Sequence, residues 1–388
     1  MPESSRRNFL LSGLAVPVAA SAARPTADDQ KRPAPLPKPA SPELHYRTLG
    51  KTGLKVTSVG FGCMITSDAS VIERAADIGI TYFDTARVYQ SGNNERMVGA
   101  ALKGRREHIT LSSKTPSKTK ETALADLDTS LRELGTDHLD IWYLHAKTKP
   151  SDVTDELIDA QQTAKQAGKI CFAGVSTHSG QAELIPALTA NPHIDVILTA
   201  YNFSMGHTLD PVIAAARAAG KGVVAMKVMA GGMRLAKPGD KLYTTFQKEG
   251  ALLAALRWVL KNSDVSTTIP SMTDMDQLDE NLKAMTGGFG KSDEDLLARR
   301  LEYIAPLYCR MCGACDGTCA KGLPVADLLR YLTYADGYGQ FSLGRERFLE
   351  LPAEVAQVRC GSCTTCTVEC PHGVRVSERL TRAQELFA

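Results

Sequence analysis

A dominant charge of one sign is missing from this chain. Its 388 residues carry 45 Lys and Arg against 43 Asp and Glu, and no segment gathers the basic ones into a stripe. That argues against a nucleic-acid partner, which needs a concentrated basic face. Long apolar runs are missing as well: no internal stretch reaches the ~20 residues that cross a bilayer as a helix. The Gly-x-Gly-x-x-Gly turn of a doubly wound dinucleotide fold is incomplete, because Gly60-Phe61-Gly62-Cys63 lacks both the third glycine and the ribose-binding acid. No flavin-binding motif is evident. What is present is a hydrophobic content of 43%, enough for one large domain and a smaller one.

Eight of the ten cysteines fall in two runs of identical spacing, Cys309-x2-Cys312-x2-Cys315-x3-Cys319 and Cys360-x2-Cys363-x2-Cys366-x3-Cys370. This resembles the ligand pattern of bacterial ferredoxins, in which the first three thiolates of a run hold one 4Fe-4S cluster and the fourth closes the other. Two clusters are the implied payload. Structural zinc takes four ligands, usually as two separated pairs. Disulfides suit small exported chains, but cysteines three apart on one short loop rarely meet the geometry of a bridge. Pro371 follows the second run, whereas Ala320 follows the first and the spacer between the runs is long. One cluster at Cys360–Cys370 is therefore the narrower alternative.

The N-terminus reads Ser5-Arg6-Arg7-Asn8-Phe9-Leu10, then an apolar run to Ala19, then Ala20-Ser21-Ala22. It resembles a twin-arginine export signal, which implies residues 1–22 as the signal and an extracytoplasmic, periplasmic destination. That route carries proteins already folded around cofactors, so clusters and export are compatible. Six prolines between Pro25 and Pro42 give a composition that stays extended, so 23–45 reads as a linker.

From Tyr46 onward, strand-like and helix-like segments alternate. Apolar runs of strand length are Val56–Gly62, Thr81–Thr85, His108–Ser113, Leu139–His145, Ile170–Ser176, Val196–Asn202, Val223–Met229 and Ser266–Pro270. Strands apolar without alternation are buried on both faces. Between them Leu124, Leu127, Leu131 and Leu134 share one helical face, as do Leu252, Leu253, Leu256 and Leu260. Eight such units predict an α/β fold, a (βα)8 TIM barrel over 46–286 with Tyr46–Lys55 as a hairpin beneath it. A small α-helical ferredoxin-like iron–sulfur domain is expected over 291–388. Its first helix is predicted to start at Ser292-Asp293-Glu294-Asp295, with serine as the cap, and a second helix covers Val325–Tyr334.

Chemistry in such a barrel belongs at the C-terminal ends of the strands. There stand Asp84 and Tyr89 after the second unit, Lys114 after the third and His145 after the fourth. The aspartate, the tyrosine five residues on, the lysine and the histidine resemble the tetrad of the aldo-keto reductase superfamily. Tyr46–Gly50, Gly60–Gly62 and Gly174-Val175-Ser176 match it as well. The resemblance implies hydride transfer between a nicotinamide cofactor and a small carbonyl or alcohol substrate. Tyr89 would be the proton donor, its phenol lowered by the Lys114 ammonium; Asp84 would hold Lys114, and His145 would bond the substrate oxygen.

The same resemblance places cofactor contacts at Ser176, Thr177, Met226, Lys227, Met229, Ser271, Gln277, Glu280 and Asn281. Ser176 and Thr177 stand where the family binds the carboxamide, and Met226 where an aromatic usually stacks on the ring. The phosphate end departs from the pattern. Ile269-Pro270-Ser271-Met272 replaces Ile-Pro-Lys-Ser, and Gln277 replaces an arginine. Both cations that grip the 2′-phosphate are gone, which leaves NADP(H) and NAD(H) open; Lys227 and Arg234 are candidate replacements at the pyrophosphate. The expected whole is an exported oxidoreductase exchanging electrons with an unidentified redox partner protein. The rival reading is an electron-transfer or interaction protein built on a non-catalytic barrel.

Overall fold

The computed structural model describes residues 43–231 and 250–388. The export signal, all but the last residues of the linker and the loop holding Arg234 lie outside the described residues. Ten strands are seen: β1 Tyr46–Thr48, β2 Lys55–Thr57, β3 Phe61–Gly62, β4 Tyr82–Asp84, β5 Thr110–Thr115, β6 Leu139–Leu144, β7 Ile170–Thr177, β8 Val196–Ala200, β9 Gly222–Met226 and β10 Thr267–Thr268. β1 and β2 pair antiparallel. β3 to β10 form one parallel sheet in chain order. A bridge between Val59 and Thr268 closes it, with Gly60 N donating to Thr268 O at 2.7 Å and Thr268 N to Ser58 O at 3.0 Å. The result is a closed (βα)8 barrel.

The run Val56–Gly62 is not the single strand its composition suggests. Its first residues complete the hairpin with β1, and its last enter the barrel beside β4. Apolarity marks burial, and both halves are buried, but it does not name the strand's partner.

The outer helices are α1 Ala69–Ile78, α2 Asn93–Ala101, α3 Lys120–Leu134, α4 Asp155–Gln166, α5 Gln181–Ala190, α6 Asp210–Ala218, α7 Ala251–Lys261 and α8 Met275–Leu282. Their ends follow local chemistry. Asp68, Thr119, Thr154 and Asp274 cap α1, α3, α4 and α8 with side-chain oxygens, satisfying backbone N–H groups that a first turn leaves open. On α3, Leu127, Leu131 and Leu134 face the sheet and are buried.

α9 (Lys291–Ile304) begins one residue before the predicted serine cap. Gly290 is the cap, and Asp293 accepts its N–H at 3.0 Å. Leu296, Leu297 and Ile304 of α9 pack with Ala251, Ala254 and Ala255 of α7, so this helix lies on the barrel. Beyond it come α10 (Val325–Asp336), α11 (Phe341–Leu349), α12 (Ala353–Ala356) and α13 (Val376–Phe387). Leu328, Leu332, Val376, Leu380 and Phe387 make a separate core among them. Arg379 and Arg382 of α13 both reach Asp336 at the end of α10. Among the described residues, no helix is long and apolar enough to cross a membrane.

Candidate active site

Strand register assembles the centre of the site. Asp84 ends β4 and pairs with Ser112 of β5, which brings Lys114 alongside. Lys114 Nζ lies 2.5 Å from Asp84 Oδ2 and donates to Thr85 O at 2.7 Å. It also stands 3.3 Å from the Tyr89 hydroxyl. The Lys114 and Asp84 side chains are 1% and 2% exposed. A buried ion pair survives only when its remaining lone pairs are satisfied, and Ser112 Oγ supplies a bond of 2.8 Å to Asp84 Oδ1.

Burial alone would lower the Lys114 pKa; Asp84 and Tyr89 outweigh it and hold the ammonium above its ordinary value. Tyr89 departs from the sequence expectation. Burial pushes its phenol up to about 12 against the opposing pull of Lys114.

Tyr89 sits on a tight turn in which Gln90 and Ser91 take φ of 50° and 52°, a region L-residues seldom occupy. Surrounding bonds hold that strain. Gln90 Nε2 donates to Thr66 O at 2.7 Å, and Asn94, bonded to Thr85 Oγ1, anchors the following helix to Cys63 O. His145 follows β6, its N–H on Thr115 O at 2.9 Å. Its ring meets that of Tyr89 edge-on at 5.9 Å. Burial, then Lys114, Arg330, Arg347 and Lys227, keep its pKa well below the ordinary value. The imidazole is therefore neutral at neutral pH.

A cleft runs from Asp84 and Tyr89 past the ends of β9 and β10. Of the residues the sequence assigned to the cofactor, Met226, Lys227, Met229 and Ser271 line it. Ser176 and Thr177 do not. Ser176 Oγ accepts from Ala146 N at 2.8 Å, and Thr177 Oγ1 donates to Ser179 O at 2.7 Å, so both hydroxyls serve the loops. Their neighbour His178, which sequence reasoning missed, lines the cavity and has no partner on its buried Nδ1 among the described residues. Gln277, Glu280 and Asn281 lie on α8. Gln277 bonds Thr273 and Asp274, and Asn281 is buried.

The cavity suits a nicotinamide. An unpartnered imidazole nitrogen awaits a polar group. At Gly62 a Cβ would come within 2.5 Å of Ile269 O and 3.3 Å of Ser271 Oγ, so only glycine keeps this wall open.

The mouth is roofed by α10 and α11, which the sequence presented only as a spacer. Ser91 Oγ donates to Glu346 Oε1 at 3.2 Å, and Arg347 Nη2 to Val88 O at 3.0 Å. Lys227 Nζ lies 4.8 Å from the Tyr334 ring centre and 5.1 Å from that of Tyr338. Gly337 approaches Gly231 so closely that a Cβ would sit 2.0 Å from Gly231 O. A second cavity under this roof is lined by Tyr89, His145, His178, Arg330, Tyr334 and Arg347, among others. Arg330 and Tyr334, four residues apart on α10, share one helix face.

All ten cysteines are free. Cys309, Cys312, Cys315 and Cys370 line one pocket. Cys360, Cys363, Cys366 and Cys319 are electrostatic neighbours in a second group. Thr367 stitches the two cysteine loops together, its Oγ1 donating to Thr318 O at 2.9 Å and accepting from Ala320 N at 3.1 Å. Among the described residues, no three sulfurs lie within 4.8 Å of one another.

Residues 66–296 match the sequence profile of the aldo/keto reductase family. The uncharacterized oxidoreductase YqkF of Bacillus subtilis is 32% identical over 151 residues, which is 34% of this chain and 49% of that protein. L-galactose dehydrogenase of Arabidopsis thaliana is 26% identical over 63% of this chain and 89% of its own length. Among solved structures, the holo form of aldo-keto reductase AKR11C1 from Bacillus halodurans superposes with a TM-score of 0.57 at 26% identity, covering 66% of this chain and 96% of that one.

Proposed function

Because this chain belongs to the aldo/keto reductase family of NAD(P)-dependent oxidoreductases, we propose that it interconverts a carbonyl and an alcohol at the barrel mouth. The observation that carries this is one buried ammonium, Lys114, touching both Asp84 and the Tyr89 hydroxyl. Nicotinamide, when bound along Met226, Met229 and Ser271, supplies or accepts the hydride. Tyr89 gives its proton to the carbonyl oxygen in reduction, and Lys114 stabilises the phenolate left behind. Asp84 fixes the lysine. Neutral His145 donates a hydrogen bond to the same oxygen and orients the carbonyl. A phenol near 12 stays protonated at neutral pH, so the donor is loaded before substrate arrives. The roof of α10 and α11 keeps competing water out.

Tyr89→Phe should lower turnover by about 10²–10⁴-fold while nucleotide binding, followed by fluorescence titration, stays within a few fold. Near-normal turnover would remove Tyr89 from the mechanism.

The C-terminal thiols are read as ligands of two 4Fe-4S clusters. Cys309, Cys312, Cys315 and Cys370 would hold one, and Cys360, Cys363, Cys366 and Cys319 the other, the crossed arrangement of bacterial ferredoxins. The grouping of the sulfurs supports this. So does their spread: one zinc with Zn–S bonds of about 2.3 Å would draw its sulfurs to within about 4 Å of one another. Such clusters carry single electrons to and from a partner protein. The Arg6-Arg7 signal and its apolar run support loading in the cytoplasm and export afterwards. With no cation at Ser271-Met272 or Gln277, the nucleotide is NAD(H) or a tightly held NADP(H).

A further inference from the structure

The second cavity holds chemistry that proton and hydride transfer do not use. It shares Met64, Tyr89 and His178 with the groove lined by Met229 and Ser271, and adds His145. Two guanidinium groups enter it from the roof, Arg330 on α10 and Arg347 on α11. Each has a half-exposed carboxylate partner: Asp327, 2.6 Å from Arg330 and 49% exposed, stands outside the cavity lining, and Glu350, 2.7 Å from Arg347 and 52% exposed, lines the cavity at its edge. The arginine side chains themselves are only 16% and 20% exposed.

A third cation, Lys227, is buried against Tyr334 and Tyr338 and has no carboxylate in contact among the described residues. The field of these groups is felt by Tyr331, Tyr334, His145 and His178 around the cavity. Lys227, Arg330 and Arg347 together pull the Tyr334 phenol below its ordinary value despite its burial. Arg330 and Lys227 also help keep His178 neutral. Arg330 and Arg347 are paired with Asp327 and Glu350 and Lys227 faces two tyrosine rings, so an entering anion would share the guanidinium donors with those half-exposed carboxylates.

We propose that this cavity is the substrate subsite, and that the substrate carries an anionic oxygen group, a carboxylate or a phosphate, which Arg330 and Arg347 hold while its carbonyl or carbinol carbon lies against Tyr89 and His145. The proposal deepens the reductase reading and rests on it. A guanidinium offers paired N–H donors to two oxygens of one such group. Arg330 donates to Asp327 through Nη2, a partner outside the cavity lining that leaves the rest of the fork to face the cavity. The unpartnered His178 Nδ1 lies between this subsite and the nicotinamide groove. It is placed to bond a substrate hydroxyl or the cofactor amide. The roof segment is thus more than a cover: it supplies the residues that select by charge.

The test uses the full chain, purified anaerobically and supplied with reduced nucleotide, and two matched pairs of aldehydes. One pair is succinate semialdehyde and butanal; the other is glyceraldehyde 3-phosphate and glyceraldehyde. The expected result is a kcat/KM for the charged member of at least one pair roughly 10- to 100-fold above its neutral partner. Which pair shows it tells carboxylate from phosphate. Arg330→Gln should erase that ratio chiefly through KM, and Arg330→Lys should keep part of it, which a purely structural role for Arg330 would not do. A ratio near one, or a ratio that survives in Arg330→Gln, overturns the proposal and leaves the reductase reading standing. If no aldehyde is turned over, titration calorimetry of Tyr89→Phe with succinate and with inorganic phosphate separates the two ideas. Binding that depends on Arg330 keeps the anion subsite while the reductase reading falls. No such binding overturns the subsite.

Discussion

The barrel and the cysteine-bearing segment solve the burial of polar groups in opposite ways. In the barrel, Asp84, Lys114, Thr85, Ser112 and Asn94 are all buried and bonded to one another or to the backbone. The strands deliver these partners by register, so the site is complete before any ligand binds. In the C-terminal segment a core of Leu328, Leu332, Leu380 and Phe387 is ringed by eight thiols, two of which, Cys312 and Cys363, are exposed. Backbone N–H groups of Met311 and His372 bond to two of those sulfurs, Cys309 and Cys370. A polar group enclosed by its own fold contributes to rigidity, whereas a ring of thiols on loops depends on what they bind. The barrel is therefore expected to be stable by itself, and the cysteine segment to depend on the clusters proposed for it.

The largest effect should come from breaking the barrel's internal pairing. Lys114→Met leaves Asp84 as an uncompensated buried charge, so a loss of about 3–5 kcal/mol is expected in urea unfolding. Restoring balance with Asp84→Leu in the same chain should recover much of that stability without recovering turnover. If the single variant unfolds like the parent, the barrel is not closed on itself as described.

Cys370→Ala probes the other side. It removes the thiol that reaches across to Cys309, Cys312 and Cys315, so iron content should fall by about half while the unfolding midpoint of the barrel barely moves. Loss of all iron would mean the two thiol groups form one cooperative unit. An unchanged iron content would exclude crossed ligation.

The smallest effect is expected at the seam between the regions, where His145 and His178 lie beneath Arg330. Burial first, and the neighbouring cations next, depress both imidazoles well below their ordinary value of 6.5. The folded chain then binds fewer protons than the unfolded one in mild acid. This contribution is present in full above pH 6.5 and is lost as pH falls toward the folded values. The melting temperature should drop between pH 7 and pH 5, and less so in His178→Phe. A melting temperature that is flat across that range would show these histidines to be accessible to protons.

Much of this was legible in the sequence, for identifiable reasons. Strand-length apolar runs separated by amphipathic stretches give a parallel barrel, because two-sided burial erases alternation. Asp84, Tyr89, Lys114 and His145 stand out because each follows a strand, and the structure brings them together around Lys114. The cysteine spacing is a local pattern, and the two thiol groups it suggests stand as a proposal about clusters. What escaped depends on distant partners. Nothing within Val56–Gly62 says that half of it pairs with Tyr46–Thr48. The Tyr89 phenol was expected to fall under the influence of Lys114, and it rises because burial outweighs that cation. Ser176 and Thr177 were set against the cofactor, yet their hydroxyls close loops, and the adjacent His178 faces the cavity. Arg330 and Arg347 went unread because a helix between two cysteine runs gives no hint of which face meets the barrel.

The central claim is a nucleotide-using barrel roofed by a cluster-bearing segment. Anaerobic purification of the full chain, with iron, acid-labile sulfide and released nucleotide measured on one sample, tests it most directly. About eight irons and eight sulfides per chain, with NAD(H) or NADP(H) bound or bindable at one per chain, is the result expected. Zinc in place of iron, or a chain that neither carries nor binds nucleotide, would contradict it.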